Sequence, residues 1–356
     1  MSEPISKRKK WLRRGLILFL FLLAGGVALV GCGGIYIIKL GMGQARILLD
    51  REPITKVLAD PAVESSVKDK LRLILEVRDF AEKELGLVVG NNYLYYFDTG
   101  GDPIIYTITA SPKDRLEAYY WKFPIVGAVA YKGFFDLDDA REESEEMAAE
   151  GYDTNLGSAQ AFSTLGWFSD PVFTTMLLRR PELVVETVIH ELTHATIYVK
   201  GETPFNESLA TFIGIAGAIE FLIQRYGEES AEVRFARAVQ QDRQIFSRFM
   251  EELRVELDDL YAEPIPLAEK LSRREGIFRA SQERVAASDE LETDQVDFYP
   301  ELEMNNAVVL SLLHYHTRID FFEGVFEEED RNLRRTILRI REDPEKALSR
   351  WQSKEE

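Results

Sequence analysis

Between Gly15 and Ile38 the chain carries no charged residue. An apolar run of about 20 residues is long enough for a helix to cross a bilayer. Lys7, Arg8, Lys9, Lys10, Arg13 and Arg14 stand directly ahead of it. A basic cluster followed by such a run at the N-terminus is a targeting pattern, not that of a core helix. The basic residues should stay cytoplasmic, which sends the following chain outward. The 356 residues therefore divide into residues 1–40, a basic region with a lipoprotein signal or transmembrane anchor, and residues 41–356, an exported body.

Leu29-Val30-Gly31-Cys32 is similar to a bacterial lipobox, whose cysteine is lipidated after cleavage. The apolar run continues to Ile38, so an uncleaved anchor stays open beside lipidation at Cys32. Both predict a body held at the membrane of the bacterial envelope, facing the periplasm or exterior. Cys32 is the only cysteine, which excludes internal disulfides and multi-cysteine metal sites. The formal net charge of −18 is unevenly placed. Residues 1–50 hold eight basic and two acidic residues, net +6, and residues 51–356 hold 35 basic and 59 acidic, net −24. An acidic body lacks the basic face that nucleic acid requires, so no nucleic-acid partner is expected.

Along the body, Asp60-Pro61 opens a helical pattern that closes at Gly86. Tyr93–Phe97, Ile104–Ile108 and Leu116–Trp121 are rich in aromatic and β-branched residues and predict strands of a small sheet. A charged helix follows Asp136 to about Glu150, then a loop or strand region to Asp170. From Pro181 onward the pattern is mainly helical, clearest over Arg234–Leu257 and Ala307–Phe322, with Ser281–Pro300 as an exposed connection. Within the body, a sheet-containing part spans about 87–170 and a helical part about 171–356.

The chemistry concentrates in His190-Glu191-Leu-Thr-His194, inside the apolar stretch Glu182–Val199. On a helix, residues i and i+4 share a face, so both imidazoles reach one zinc ion at about 2.0–2.1 Å. Glu191, beside the first ligand, is the candidate catalytic general base. Burying two histidines and a glutamate unpartnered would cost several kcal/mol, and a metal is the simplest compensation. A third ligand is at hand. Lys200–Pro204 is a turn, with Gly201 placed to end the helix, and Phe205–Phe212 opens a second one. A short turn makes the helices antiparallel neighbours and brings Glu207 opposite the histidines.

His190-Glu191-x-x-His194 with Asn206-Glu207-x-x-Ala210 resembles the gluzincin metallopeptidases. More narrowly, the chain resembles a bacterial family of predicted zinc aminopeptidases, often lipoproteins. The shared stretches are Gly43-Gln44, Ala130–Asp136, Gly151-Tyr152-Asp153, Ala161–Pro171, the metal helix, Tyr198–Gly201, Phe205–Ser208 and Asn305-Asn306-Ala307. The resemblance implies one Zn2+ ion, peptide substrates and an α+β, mainly α, zincin-like fold with a small N-terminal sheet and a helical C-terminal part. Two features differ from the better-known gluzincins. The step from His194 to Glu207 is shorter, and Thr211 stands where an acidic residue follows the third ligand by one turn. No Gly-x-Met-Glu-Asn motif for a free α-amine is present, so exopeptidase and endopeptidase action both stay open.

An oxyanion donor or substrate contact should complete such a site. Tyr299, Asn306, His314, Tyr315 and His316 are the candidates, and Gln160–Trp167 is a candidate edge for an extended peptide. The alternative to a membrane-tethered zinc peptidase is a non-catalytic envelope protein with a structural or vestigial zinc site that binds a partner. The intact Glu191 favours the enzyme, since a structural site needs no general base.

Overall fold

The computed structural model describes residues 34–123, 127–159, 169–314 and 319–353. The apolar run up to Gly33 with Cys32, the whole candidate peptide edge Gln160–Trp167, Tyr315 and His316 lie outside these. The described residues form two compact units that divide between Asp50 and Arg51. The first contributes one helix, α1 (Gly34–Asp50), on which Ile35, Ile38, Met42 and Leu49 are exposed.

The second unit is mainly helical with small sheets, as the composition and patterning predict. It begins with β1 (Glu52–Pro53), α2 (Ile54–Ala59) and α3 (Ser65–Phe80). Leu71, Ile74 and Val77 form the buried stripe of α3 at helical spacing. A wider π turn, Ala81–Leu85, extends it, and Gly86, at φ 77°, ends it where the pattern predicts. Then follow β2 (Tyr95–Phe97), β3 (Ile105–Pro112), β4 (Trp121–Phe123), β5 (Gly127–Val129) and β6 (Lys132–Phe134). The acidic helix α4 (Leu137–Ala149) is capped by Asp136, whose side chain accepts from the backbone N–H groups of Asp138 and Asp139. β7 (Tyr152–Ala159), β8 (Val172–Phe173) and the short α5 (Thr174–Leu177) complete the sheet region.

In place of one sheet the described residues make three. β3 sits between β6 and β7, all antiparallel, with Ile105 opposite Ala159 and Pro112 opposite Tyr152. β2 pairs antiparallel to β1 and parallel to β8, and β4–β5 is a hairpin. Leu116–Tyr120 is not a strand. Its aromatic rings serve packing instead, with Tyr119 edge-on to both Trp121 and Tyr152.

The helical part comprises α6 (Pro181–Thr196), α7 (Thr203–Tyr226), α8 (Ala231–Ala262), α9 (Leu267–Ala286), α10 (Asn306–His314), α11 (Ile319–Glu328), α12 (Leu333–Glu342) and α13 (Pro344–Ser353). α7 is apolar and long enough to cross a membrane, but most of that stretch is buried, as in a core helix. α8 and α9 bury Phe246, Met250, Leu253, Leu257, Phe278 and Val285 in one cluster. The connection after α9 is not simply exposed, because Val296 and Tyr299 plug that cluster. The buried Asp242 carboxylate holds the connection by accepting from the N–H groups of Glu292 and Thr293.

α10 lies on the central sheet. Thr109 Oγ1 and Ser311 Oγ are 2.9 Å apart, Asn155 Nδ2 donates to Ser311 Oγ at 2.8 Å, and Asn305 Nδ2 donates to Thr154 O at 2.9 Å. Beneath them, Arg274 of α9 donates to both Asp153 oxygens, at 2.7 and 3.3 Å, and Asn306 N donates to Asp153 Oδ2 at 3.2 Å. Asp153 and Arg274 are both buried, so this pair holds sheet and helices together at the expense of two desolvated charges.

Candidate metal centre

α6 begins with Pro181 at its first turn, where a missing N–H costs nothing. Leu183, Val184, Val188, Ile189 and Leu192 bury one broad face. The helix ends at Thr196, before the turn glycine, and Ile197 is extended at φ −136° and ψ 117°. The β-branched and aromatic run Thr196–Val199 explains the early end, since such residues lose rotamer freedom in a helix. Gly201, at φ 85°, serves the turn instead. α7 returns against α6 through its small residues. A Cβ added to Gly214 would stand 3.2 Å from both Glu186 O and His190 Cβ, and one on Gly217 would stand 2.9 Å from Leu85 Cδ1 and 3.1 Å from Ile189 Cγ2.

This close approach brings three donors together. His190 Nε2 and His194 Nε2 are 3.1 Å apart, His190 Nε2 is 3.4 Å from Glu207 Oε2, and His194 Nε2 is 3.5 Å from Glu207 Oε1. Four-coordinate zinc with bonds near 2.05 Å separates its donors by about 3.3 Å. The three gaps bracket that spacing, and the donor set is chemically complete for a metal ion. Among the described residues His194 Nδ1 is buried without a partner. His194 turns its other nitrogen, Nε2, to a second imidazole and a carboxylate, an arrangement that suits a cation between the three groups.

The electrostatics are those of a buried acid–base cluster. Burial alone would push the Glu207 carboxyl up, but hydrogen bonds from His190 and His194 outweigh it and hold Glu207 well below the usual carboxylate range. Burial depresses His190, yet the Glu207 hydrogen bond with the charges of Glu191, Glu207 and Glu186 leaves it raised. Glu191 is raised chiefly by burial, with Glu207 and Asp170 adding repulsion and the two histidines opposing.

Residues that sequence reasoning left without a role surround the cluster. Tyr93 was expected to begin a strand. It is instead fully buried, with φ 60°, and its N–H donates to Asp170 O at 2.7 Å. Burial and the charges of Glu191 and Asp170 raise its phenol well above the ordinary value. Asn92 Oδ1 accepts from Asp170 N at 2.9 Å, and Val88 N donates to Thr196 Oγ1 at 2.8 Å, so the stretch after Gly86 runs along the metal helix. Tyr198 is half exposed, and burial together with the Glu207 charge raises its phenol. Glu186, one turn before His190, accepts from Arg243 Nη1 at 2.5 Å. Arg243 also lines a cavity of about 410 Å3 with Phe212, Gln240 and Glu323, and none of the three donors or Glu191 opens into it. The position of Asp170 in a motif stretch was a signal for it. Tyr198 likewise stands in a motif stretch, Tyr198–Gly201, whereas nothing in the pattern distinguished Tyr93 from other tyrosines.

Two expected substrate contacts are placed elsewhere. Tyr299 is wholly buried in the α8–α9 cluster, with its hydroxyl 2.7 Å from Ser281 Oγ. Asn306 is wholly buried too. Its Oδ1 accepts from Tyr261 at 2.6 Å, and its Nδ2 donates to Pro112 O and Arg115 O. Both side chains are enclosed and fully engaged, so neither is free to meet a substrate. His314 closes α10.

No curated protein and no solved structure matches the chain. The sequence model of a family described as "Putative aminopeptidase" matches residues 35–351, from the start of α1 to the last helix. With so much of its length covered, the chain belongs to that putative aminopeptidase family.

Proposed function

We propose that the chain is a membrane-tethered, extracytoplasmic zinc metallopeptidase with a zincin-like active site. The observation that carries the reading is the donor triangle of 3.1, 3.4 and 3.5 Å with Glu191 next to it on the same helix. His190, His194 and Glu207 would hold the ion, leaving a fourth position open, as catalytic zinc sites do. When bound, zinc supplies a Lewis acid that polarises a peptide carbonyl and acidifies water. Glu191 takes a proton from the attacking water and returns it to the leaving amine. Its burial and its carboxylate neighbours make it a stronger base than an exposed glutamate, which suits that task. Tyr198, half exposed and within reach of the Glu207 charge, is the described phenol best suited to donate to the developing oxyanion.

The charge-free run after the basic cluster supports the tether, through lipidated Cys32 or an uncleaved helix. The family description supports an aminopeptidase. The test compares detergent-solubilised wild type with Glu191→Gln. Wild type should bind one zinc per chain and cleave a peptide library, while the variant binds zinc and cleaves at least 100-fold more slowly. Equal cleavage by both, or no zinc in wild type, would refute the mechanism and favour a non-catalytic partner-binding protein. Single N-terminal losses would mark an aminopeptidase and internal cuts an endopeptidase.

A further inference from the structure

Asn206 sits beside the third metal donor, at the start of α7, and its side chain is wholly buried. It does not contact the donors. Its Oδ1 accepts from the backbone N–H of Val199 at 2.9 Å, and its Nδ2 donates to the carbonyl of the same residue at 2.7 Å. One amide thus satisfies both backbone polar groups of Val199, much as a paired strand would. The two bonds tie the extended stretch after α6 to the first turn of α7 across the intervening turn.

Glu202, at the N-cap of α7, makes no side-chain capping bond. Successive helical residues are turned by about 100° around the axis. Asn206 therefore faces the turn while Glu207, one residue on, faces the imidazoles. A small rotation of this first turn would swing Glu207 away from His190 and His194. The Val199 carbonyl also accepts from Glu202 N at 3.2 Å, so a residue offering only a donor would leave the Val199 N–H buried and unpaired, and one offering only an acceptor would keep that bond but lose the tie to the carbonyl.

We infer that Asn206 is the positioning residue that sets the rotation of the first turn of α7, and so the place of the Glu207 carboxylate in the metal centre, through its paired bonds to Val199. The inference rests on the metal reading of His190, His194 and Glu207. It gives the asparagine of the Asn206-Glu207 pair a mechanical task distinct from ligation. The same clamp fixes the residue that follows Tyr198, which itself follows the extended Ile197.

The test measures zinc affinity of the full-length, detergent-solubilised protein by competition with a chelator of known affinity. It also records the visible spectrum of the cobalt-substituted protein. Asn206→Ala should lower zinc affinity about 10- to 100-fold, the range for loss of a group that orients a ligand. It should also shift the cobalt bands. Asn206→Asp, which keeps the acceptor and loses the donor, should fall between the two, and it decides the question if the alanine variant does not fold. Ser281→Ala removes a buried hydrogen bond to Tyr299 and serves as the structural control, with zinc affinity unchanged. Zinc affinity in the Asn206 variants within threefold of wild type, or an equal loss in Ser281→Ala, overturns the positioning role. Failure of wild type to bind either metal refutes the metal centre itself and is a separate outcome.

Discussion

Gly214→Ala tests whether the spacing of α6 and α7 sets the metal centre. A Cβ at this position meets Glu186 O and His190 Cβ at 3.2 Å each, and Glu186 Cγ at 3.5 Å. Carbon contacts relax to about 3.5–4.0 Å, so the two helices must part by roughly 0.5 Å. A helical carbonyl and a Cβ cannot swing aside as the end of a side chain does. His190 rides on α6 and Glu207 on α7, and a metal site tolerates only about 0.2 Å of such displacement. Zinc affinity should therefore fall by at least tenfold. The effect on stability has two opposed parts. Alanine in a helix interior gains about 1 kcal/mol over glycine, and overpacking loses about 1–3 kcal/mol. The net change in the metal-free protein should lie between nothing and a loss of about 2 kcal/mol. Gly276 in α9 meets nothing within 4 Å, so Gly276→Ala should stabilise by up to about 1 kcal/mol and leave zinc binding alone. Chelator competition and urea unfolding of the metal-free proteins read both quantities. If Gly214→Ala binds zinc as tightly as wild type and gains stability as Gly276→Ala does, the close approach of the helices does not govern the site.

Other outcomes follow from the same geometry. Tyr198→Phe should lower kcat about 100-fold or more with little change in KM or zinc content; kcat within a factor of three would remove Tyr198 from the mechanism. The raised pKa of His190 means that in the metal-free protein it keeps its proton above the ordinary value of 6.5. Zinc must displace that proton, whereas Glu207, held low, is already ionised. Apparent zinc affinity should thus climb as pH rises through and beyond 6.5, with proton release at neutral pH detectable by calorimetry in buffers of different ionisation enthalpy; a flat profile from pH 6 to 8 would contradict it. Asp153→Ala takes from the buried Arg274 its one buried carboxylate partner, leaving the exposed Glu275 and the Lys113 carbonyl, and should destabilise the protein by about 3 kcal/mol in urea unfolding, while a loss under 1 kcal/mol would show the pair to be incidental.

What could be read from the sequence was what depends on local repeats. The i, i+4 spacing of His190 and His194 is a property of one helical turn, and the short step to Glu207 across Gly201 dictates a hairpin, so the donor set was visible before any coordinates. The end of α6 was less so. Gly201 carries the strongest breaking signal, but the β-branched run Thr196–Val199 leaves the helix first and finds its backbone partner in Asn206. Tyr299 and Asn306 look like polar residues free to face a cleft, because helical periodicity does not say which neighbour covers them. Ser281 and Tyr261, both distant in the chain, bury them. The same applies to Gly151-Tyr152-Asp153 and Asn305-Asn306-Ala307. These motif stretches belong to one buried network under the central sheet, with Asp153 answering both Arg274 and the backbone of Asn306. Tyr93, almost a hundred residues from Glu191 in the chain, feels the charges of Glu191 and Asp170 through tertiary proximity, which no local pattern encodes.

The whole donor set falls between residues 190 and 207, on two consecutive helices joined by one turn. Loops of about ten residues close in some 10–100 ns, far faster than distant strands find each other. The hairpin can therefore assemble before the central sheet, whose β3–β7 pairing and covering helix α10 join segments separated by some 50 to 200 residues. A chain that emerges unfolded would present its complete donor set early. Metal capture would then add to the folding free energy from the outset, by mass action on the folded form. Unlike a centre assembled from remote strands, this donor set would make a bound metal ion a participant in folding as well as in the proposed chemistry.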